Sequence, residues 1–420
     1  MLRSVARNNF VLLLQYAVGG LVPIALIPHI VREIGVAAFG SLAVALAWAN
    51  YGSIVVQYAF NLTGPRQIAQ LADGETEAAV VQRITTTKLA LLSVVIPVIG
   101  VFLVSAWVLE TNWSWAQLLV LFGLPLASAM HTGWYLQASG RFAIASAISV
   151  TGALCSLAFG FMLVSAGNTN VLILAALSLV LGAFIAGTGT MLASAYLLGH
   201  SVITSNRQIS WHELREGWPL FASQFTAALY GASGPIIVGW LSGLDQAGAY
   251  TAVERIIGAV VSACMLTHTA AYPTLARLYK SNFSHYLQLF FGVIAIYCVV
   301  STSIAVTCYF FWDQVLHFIF GNNSRQFETI FAAGLVWLIV GVFGTAFTGY
   351  LTVSGQGNKV FPLTLKILLT AFLLGVPGVM YFGAWAWLIA LSVSQLIVII
   401  VASKEWLPHW QKIQGHNNGL

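Results

Sequence analysis

The chain has 420 residues, 59% hydrophobic and 7% charged, with a formal net charge of +5. Soluble globules carry about a quarter charged residues, so the composition excludes a water-soluble domain and points to a chain embedded in a bilayer. The positive charge is dispersed over short polar gaps without a basic cluster, which fits leaflet anchoring and argues against a nucleic-acid partner.

A hydrocarbon core about 30 Å thick takes roughly 20 apolar residues per helix. Twelve stretches of that length are predicted: 10–31, 39–62, 84–109, 115–138, 143–166, 171–197, 218–241, 247–272, 286–312, 327–353, 361–381 and 385–403. The basic residues fall in alternate gaps: Arg3 and Arg7, then Arg66, Arg83 and Lys88, Arg141, Arg207 and Arg215, Arg277 and Lys280, Lys359 and Lys366, and finally Lys404 and Lys412. By the positive-inside bias these gaps and both termini are cytoplasmic. Lys88 and Lys366, near span ends, read as snorkelling anchors, and Arg325 as a solvated loop residue. The longest gaps, 63–83, 198–217 and the outer 313–326, are too short to hold a separate domain. A membrane glycan polymerase would need a larger outer loop for its chemistry.

The first span starts basic and turns apolar like a signal sequence, but it has full span length and no cleavage site follows, so an uncleaved helix is expected. It carries Gln15, Gly19, Gly20, Pro23 and Pro28, and ends on Arg32 and Glu33. An interfacial ion pair is the default for those two, and a cargo contact through Arg32 the alternative. Span two carries Asn50, Ser53, Gln57, Asn61 and Gly64 at steps of three or four residues, which places them on one face. Polar residues inside hydrocarbon are costly unless they face other helices or water.

Span seven has Gln224 followed by Gly231, Gly234 and Pro235. Proline removes one backbone hydrogen bond and collides with the preceding turn, so Pro28 and Pro235 are candidate bends of a gate; close helix packing is the alternative. Span eight carries Thr251, Arg255, Gly258, Ser262 and Thr269 on one face. Glu254 and Arg255 lie about 12 Å inside it at 1.5 Å per residue, too deep for a short Glu to reach water. They either pair structurally, or Arg255 offers positive charge to an anionic cargo while Glu254 balances it or takes a coupling proton.

His268 lies near that face. His29, His131 and His317 have no metal-ligand spacing and read as satisfied polar groups. Cys155, Cys264, Cys298 and Cys308 sit in spans without C-x-x-C spacing, so neither a disulfide framework nor a metal site is expected. There is no Ser/His/Asp constellation and no phosphate-cradling glycine motif, so no nucleotide cofactor is expected either.

The second half repeats landmarks of the first. Gly35, Gly40 and Pro65 recur 208 positions later as Gly243, Gly248 and Pro273, and Gln15 recurs 209 later as Gln224. Tyr135-Leu136 and Ser139-Gly140 recur 215 later as Tyr350-Leu351 and Ser354-Gly355. The pattern predicts a duplicated six-helix unit: an N-lobe over 1–200, a cytoplasmic linker over 201–217, and a C-lobe with a short cytoplasmic tail over 218–420. The fold class is an all-α integral membrane protein with twelve transmembrane helices in two pseudo-symmetric bundles. Copies with even span numbers share one orientation, an arrangement in which transporters bind cargo near the midplane.

The runs Ile27-Pro28-His29-Ile30-Val31-Arg32-Glu33-Ile34-Gly35 with Phe39-Gly40, and Phe60-Asn61-Leu62-Thr63-Gly64-Pro65-Arg66-Gln67-Ile68-Ala69, resemble the first two helices of Wzx-type polysaccharide flippases of the multidrug/oligosaccharidyl-lipid/polysaccharide exporter superfamily. The second half adds to the resemblance Gly248-Ala249-Tyr250 with Glu254-Arg255, then Tyr272-Pro273, then Tyr350-Leu351 and Ser354-Gly355. One departure is Ala59, where the family leads one to expect glycine. The resemblance implies two lobes that alternate between inward-open and outward-open states. The implied cargo is an undecaprenyl-diphosphate-linked O-antigen or related oligosaccharide, moved to the periplasmic leaflet of a bacterial inner membrane. Coupling to H+ or Na+ and contacts with polymerase or chain-length machinery are further implied. The alternatives are a drug or cation antiporter of the same superfamily, a lipid II flippase, which usually has two extra helices, and, less favoured, a membrane glycan polymerase.

Overall fold

The computed structural model describes residues 2–71, 76–108, 113–165, 167–203, 211–353 and 360–417, with several side chains, among them those of residues 263–270, outside the description. The described chain is helical: α1 Leu2–Ile34, α2 Val36–Gln57, α3 Phe60–Ala69, α4 Glu77–Val108, α5 Trp115–Met130, α6 Gly133–Ala138, α7 Phe142–Leu163, α8 Val171–Leu198, α9 Trp211–Ala232, α10 Gly234–Ser242, α11 Leu244–Ser281, α12 Phe283–Phe310, α13 Trp312–Phe320, a 3-10 segment Gly321–Phe327, α14 Glu328–Val353, α15 Val360–Phe382 and α16 Trp385–Asn417. Among the described residues, nine helical segments are long and apolar enough to cross a membrane, and α14 and α16 add shorter apolar stretches. Tyr350, Leu351 and Pro273 lie where side chains are not described, and Ser354 and Gly355 lie outside the described residues.

Local chemistry sets the helix ends. Ser114 and Gln117 form a capping box at α5, with the Gln117 side chain accepting from the Ser114 amide at 2.7 Å. The Asn282 side chain caps α12 by accepting from the His285 amide at 3.2 Å. Gly199, at φ 67°, ends α8 in the left-handed conformation that glycine adopts freely.

Packing divides the chain into two compact units, Met1–Thr251 and Ala252–Leu420, so the division falls inside α11. In the first unit α1 packs on α7, α7 on α8, α8 on α5 and α5 on α2; α4 lies against α2 and α5, and α9 and α10 also lie on α2. Small residues permit these approaches. A Cβ on Gly152 of α7 would strike the Gly182 carbonyl of α8, and one on Gly187 of α8 the Ala127 carbonyl of α5. In the second unit α16 packs on α14 and α15, and α12 on α14. Gly334 of α14 admits the side chains of Val253 and Ile257 of α11.

Three spans expected as continuous are interrupted. Span two stops at Gln57 and restarts at Phe60, because Tyr58 (φ 41°) and Ala59 (φ 59°) are left-handed. Span four breaks at His131–Thr132, between α5 and α6, and span seven breaks at Ser233, between α9 and α10. Pro235 stands in the first turn of α10, where its missing N–H costs nothing, so the break precedes the proline. Span one continues through Pro23 and Pro28 as one helix. The gap 313–326, expected as an outer loop, is not open: it forms α13 and the 3-10 segment, with Leu316, Ile319 and Phe320 buried and Asp313 and His317 exposed.

The repeat is visible in the backbone. Gly35 (φ 86°, ψ 157°) and Gly243 (φ 91°, ψ 167°) make the same turn before α2 and α11. Beyond these turns the two helices touch reciprocally: a Cβ on Gly40 would fall on the Leu244 carbonyl and the Gly248 amide, and a Cβ on Gly248 on the Val36 carbonyl and the Gly40 amide. Positions 36 and 244, like 40 and 248, are repeat equivalents, so the contact has the form of a local two-fold.

Candidate functional site

The α2 row does not survive as a single face. Asn50 and Gln57 are half-buried on α2, and the Gln57 amide reaches the Ser128 carbonyl of α5 at 3.4 Å, so it ties two helices of the same unit. The Ser53 hydroxyl is buried without a hydrogen-bond partner. Asn61 lies beyond the left-handed pair on α3 and is exposed, while Gly64 packs against the Trp134 ring. Gln15 accepts from the Ser146 hydroxyl of α7 at 2.7 Å, and Gln224 is half-buried on α9.

On α11, Thr251 is buried and bonds its own helix through the Ala247 carbonyl. The Arg255 Nε lies 3.7 Å from a Glu254 carboxylate oxygen, with the Arg255 side chain 46% exposed and that of Glu254 21%. A guanidinium half-open beside its carboxylate keeps donors available for another anion. Ser262, also exposed, donates to the Gly258 carbonyl at 2.8 Å. The side chains of His268 and Thr269 lie outside the description. Arg32 is exposed and donates to the Pro28 carbonyl at 3.2 Å; Pro28 and Pro235 are both buried. His29 is a satisfied polar group, hydrogen-bonded to the Val164 carbonyl at 3.0 Å and stacked on Phe161.

Two polar sites in the first unit were not singled out by sequence. The Lys88 side chain, read above as a snorkelling anchor, is 0% exposed, and its Nζ donates to the His131 carbonyl at 2.7 Å. It is held inside the bundle at the point where α5 stops, and no route to the interface is left for a snorkel. Next to that break, the Thr132 hydroxyl pairs with Ser194 at 2.8 Å and its amide donates to Thr190 at 3.2 Å. The second site is Glu213 at the start of α9, 3% exposed, which receives Arg83 Nε of α4 at 2.7 Å and the Gln67 amide of α3. Beside it Arg66 approaches Glu216 at 4.0 Å, and the Tyr58 hydroxyl donates to the Leu214 carbonyl at 3.0 Å.

The helical architecture has solved counterparts. A multidrug resistance MATE family transporter of the MOP superfamily, in an inward-facing conformation, superposes with a TM-score of 0.62 over 97% of this chain and 96% of its own, at 14% identity. A MOP superfamily transporter from Pyrococcus furiosus superposes at 0.57 over 95% and 93%, at 15% identity. The fold is therefore that of the MOP transporters.

The model of the polysaccharide biosynthesis protein family matches residues 5–279, and the chain belongs to that family. Two curated relatives carry the name "Putative O-antigen transporter": one from Escherichia coli (strain K12), 22% identical over 66% of each chain, and one from Shigella dysenteriae, 20% identical over 95% of this chain and 99% of its own.

Proposed function

We propose that the protein is a flippase that moves undecaprenyl-diphosphate-linked O-antigen or related repeat units from the cytoplasmic to the periplasmic leaflet of a bacterial inner membrane, by alternating access and with both termini in the cytoplasm. The observation that carries this reading is the family match together with the two relatives named for O-antigen transport. The chemistry supports it. A diphosphate and sugar head cannot cross hydrocarbon unshielded. Arg255, half-open beside Glu254 well inside α11, offers a guanidinium suited to bidentate phosphate binding.

Deleting the gene should raise the lipid-linked oligosaccharide on the inner leaflet and remove the surface glycan. In that strain Arg255→Ala is expected to restore the protein to normal membrane abundance yet leave export at least tenfold down; full complementation would assign Arg255 a purely structural role. A second reading, a drug or cation antiporter, is favoured by the fold shared with MATE transporters. Drug hypersensitivity of the deletion strain without lipid-linked glycan accumulation would select it.

A further inference from the structure

We propose that Lys88 is the proton-carrying group of the transport cycle, loaded when its ammonium holds the break in span four and unloaded when that break is released. The inference rests on the transport reading and adds to it the coupling species and the residue that carries it. An ammonium has three donors to satisfy. Among the described residues Lys88 meets one acceptor, the His131 carbonyl at the end of α5. The helices packed on α4, namely α2, α3 and α5, contain no Asp or Glu. Their titratable or charged groups are Tyr51, with Tyr58 just beyond it, Arg66 and His131, and on α4 itself Arg83 lies five residues before Lys88. The nearest carboxylates are engaged elsewhere, Glu213 of α9 by Arg83 and Gln67, and Glu77 at the start of α4 by the Tyr135 hydroxyl. The His131 imidazole lies within electrostatic reach of the ammonium, and among the described residues no carboxylate pairs with Lys88 itself.

A helix C-terminus favours a cation, yet a hydroxyl or amide would satisfy one carbonyl without burying a charge. Ionisable groups kept inside a membrane protein at such cost mark proton or substrate pathways. The threonine hydroxyls next along the helix point the same way: Oγ1 of Thr85 and of Thr86 are buried with no hydrogen-bond partner. Arg83, about 7.5 Å back along the helix axis at 1.5 Å per residue, has a side chain 36% exposed. Water entering from that end would take the proton from Nζ, leaving a neutral amine that no longer needs the His131 carbonyl. The bistable element is the α5–α6 break, which Lys88 holds by a charge-assisted bond while protonated and far more weakly once neutral.

The test compares Lys88→Arg, which keeps charge and donors but does not release a proton, with Lys88→Met. Hydrogen exchange of peptides covering 128–139 is measured on the full-length protein in nanodiscs at pH 6 and pH 9, corrected for the intrinsic rate, without cargo. The wild type should lose at least tenfold in protection at the higher pH. Lys88→Arg should stay protected and Lys88→Met should stay unprotected at both. His131→Asn, which keeps the carbonyl, should respond as the wild type does. A wild-type break indifferent to pH, or a response abolished by His131→Asn, would overturn the assignment. In the deletion strain Lys88→Arg should insert normally and lose export at least tenfold; wild-type export by that variant would make Lys88 a structural cap. If the deletion accumulates no lipid-linked glycan, the cargo reading fails separately, because the exchange measurement needs none.

Discussion

At the scale of single residues, burial separates the groups that position helices from those open to a ligand. Glu213 is enclosed, bonded to Arg83 and Gln67, and fastens the start of α9 to α3 and α4. Removing one partner of a buried pair leaves the other uncompensated. Because Arg83 is partly in water, Glu213→Ala is expected to cost roughly 2 kcal/mol, below the range for fully buried pairs, read as a lowered Tm in detergent. Glu213→Gln, which still accepts a hydrogen bond, should cost less; equal losses would mean that the charge contributes nothing. Sequence exposed Glu254 and Arg255 because two charges stand within an apolar stretch. It hid Lys88 because a lysine near a span end looks the same whether its helix side faces lipid or protein. The one local signal was the Thr85-Thr86-Thr87 run, a polar patch that has to face protein. Glu213 was hidden for a different reason: its partners lie more than a hundred positions away, and only the fold joins them.

At the scale of elements, apolar run length found the helices, and it could not find their interruptions. The break in span two rests on Tyr58 and Ala59, neither of which prefers the left-handed region. The family resemblance leads one to expect glycine where this chain has Ala59, and the backbone supplies the reason: a Cβ there is strained. Ala59→Gly should therefore stabilise the protein by about 1 kcal/mol, raising its Tm, whereas Ala59→Val should lower it. An unchanged or reduced Tm for the glycine variant would mean that the strain is relaxed in solution. The interruptions do not fall at the prolines. Pro28 sits inside an unbroken helix, while the break in span seven comes at Ser233, where Pro235 serves as a helix start. The outer gap was polar enough to read as a loop, yet its apolar positions Leu316, Ile319 and Phe320 share the 3.6-residue period of a short surface helix.

At the scale of the whole molecule, the duplication read from glycine spacing has a direct structural consequence in the reciprocal Gly40–Gly248 contact. Each glycine accommodates the backbone of the other's helix, so Gly40→Ala and Gly248→Ala should destabilise to similar extents, each by about 2 kcal/mol of overpacking. The double variant should cost about as much as one alone, since the helices are already spread by the first methyl. Additive losses in thermal unfolding would show that the two glycines act independently. Sequence supplied the pairing of positions; it could not show that equivalent positions meet, because a repeat offset says nothing of where the symmetry axis lies.

The division of packing inside α11 carries a last implication, for the order in which the chain is made. Helix α2 is among the first to leave the ribosome, but Tyr58 just beyond it stacks on Phe221 of α9, Tyr51 meets Phe225 at a tilt, and Gly40 waits for Gly248. More than 160 residues separate the partners of each pair along the chain. Until they arrive, the early half presents an unfinished seam, and assembly of the first unit is completed only by the opening segment of the second copy.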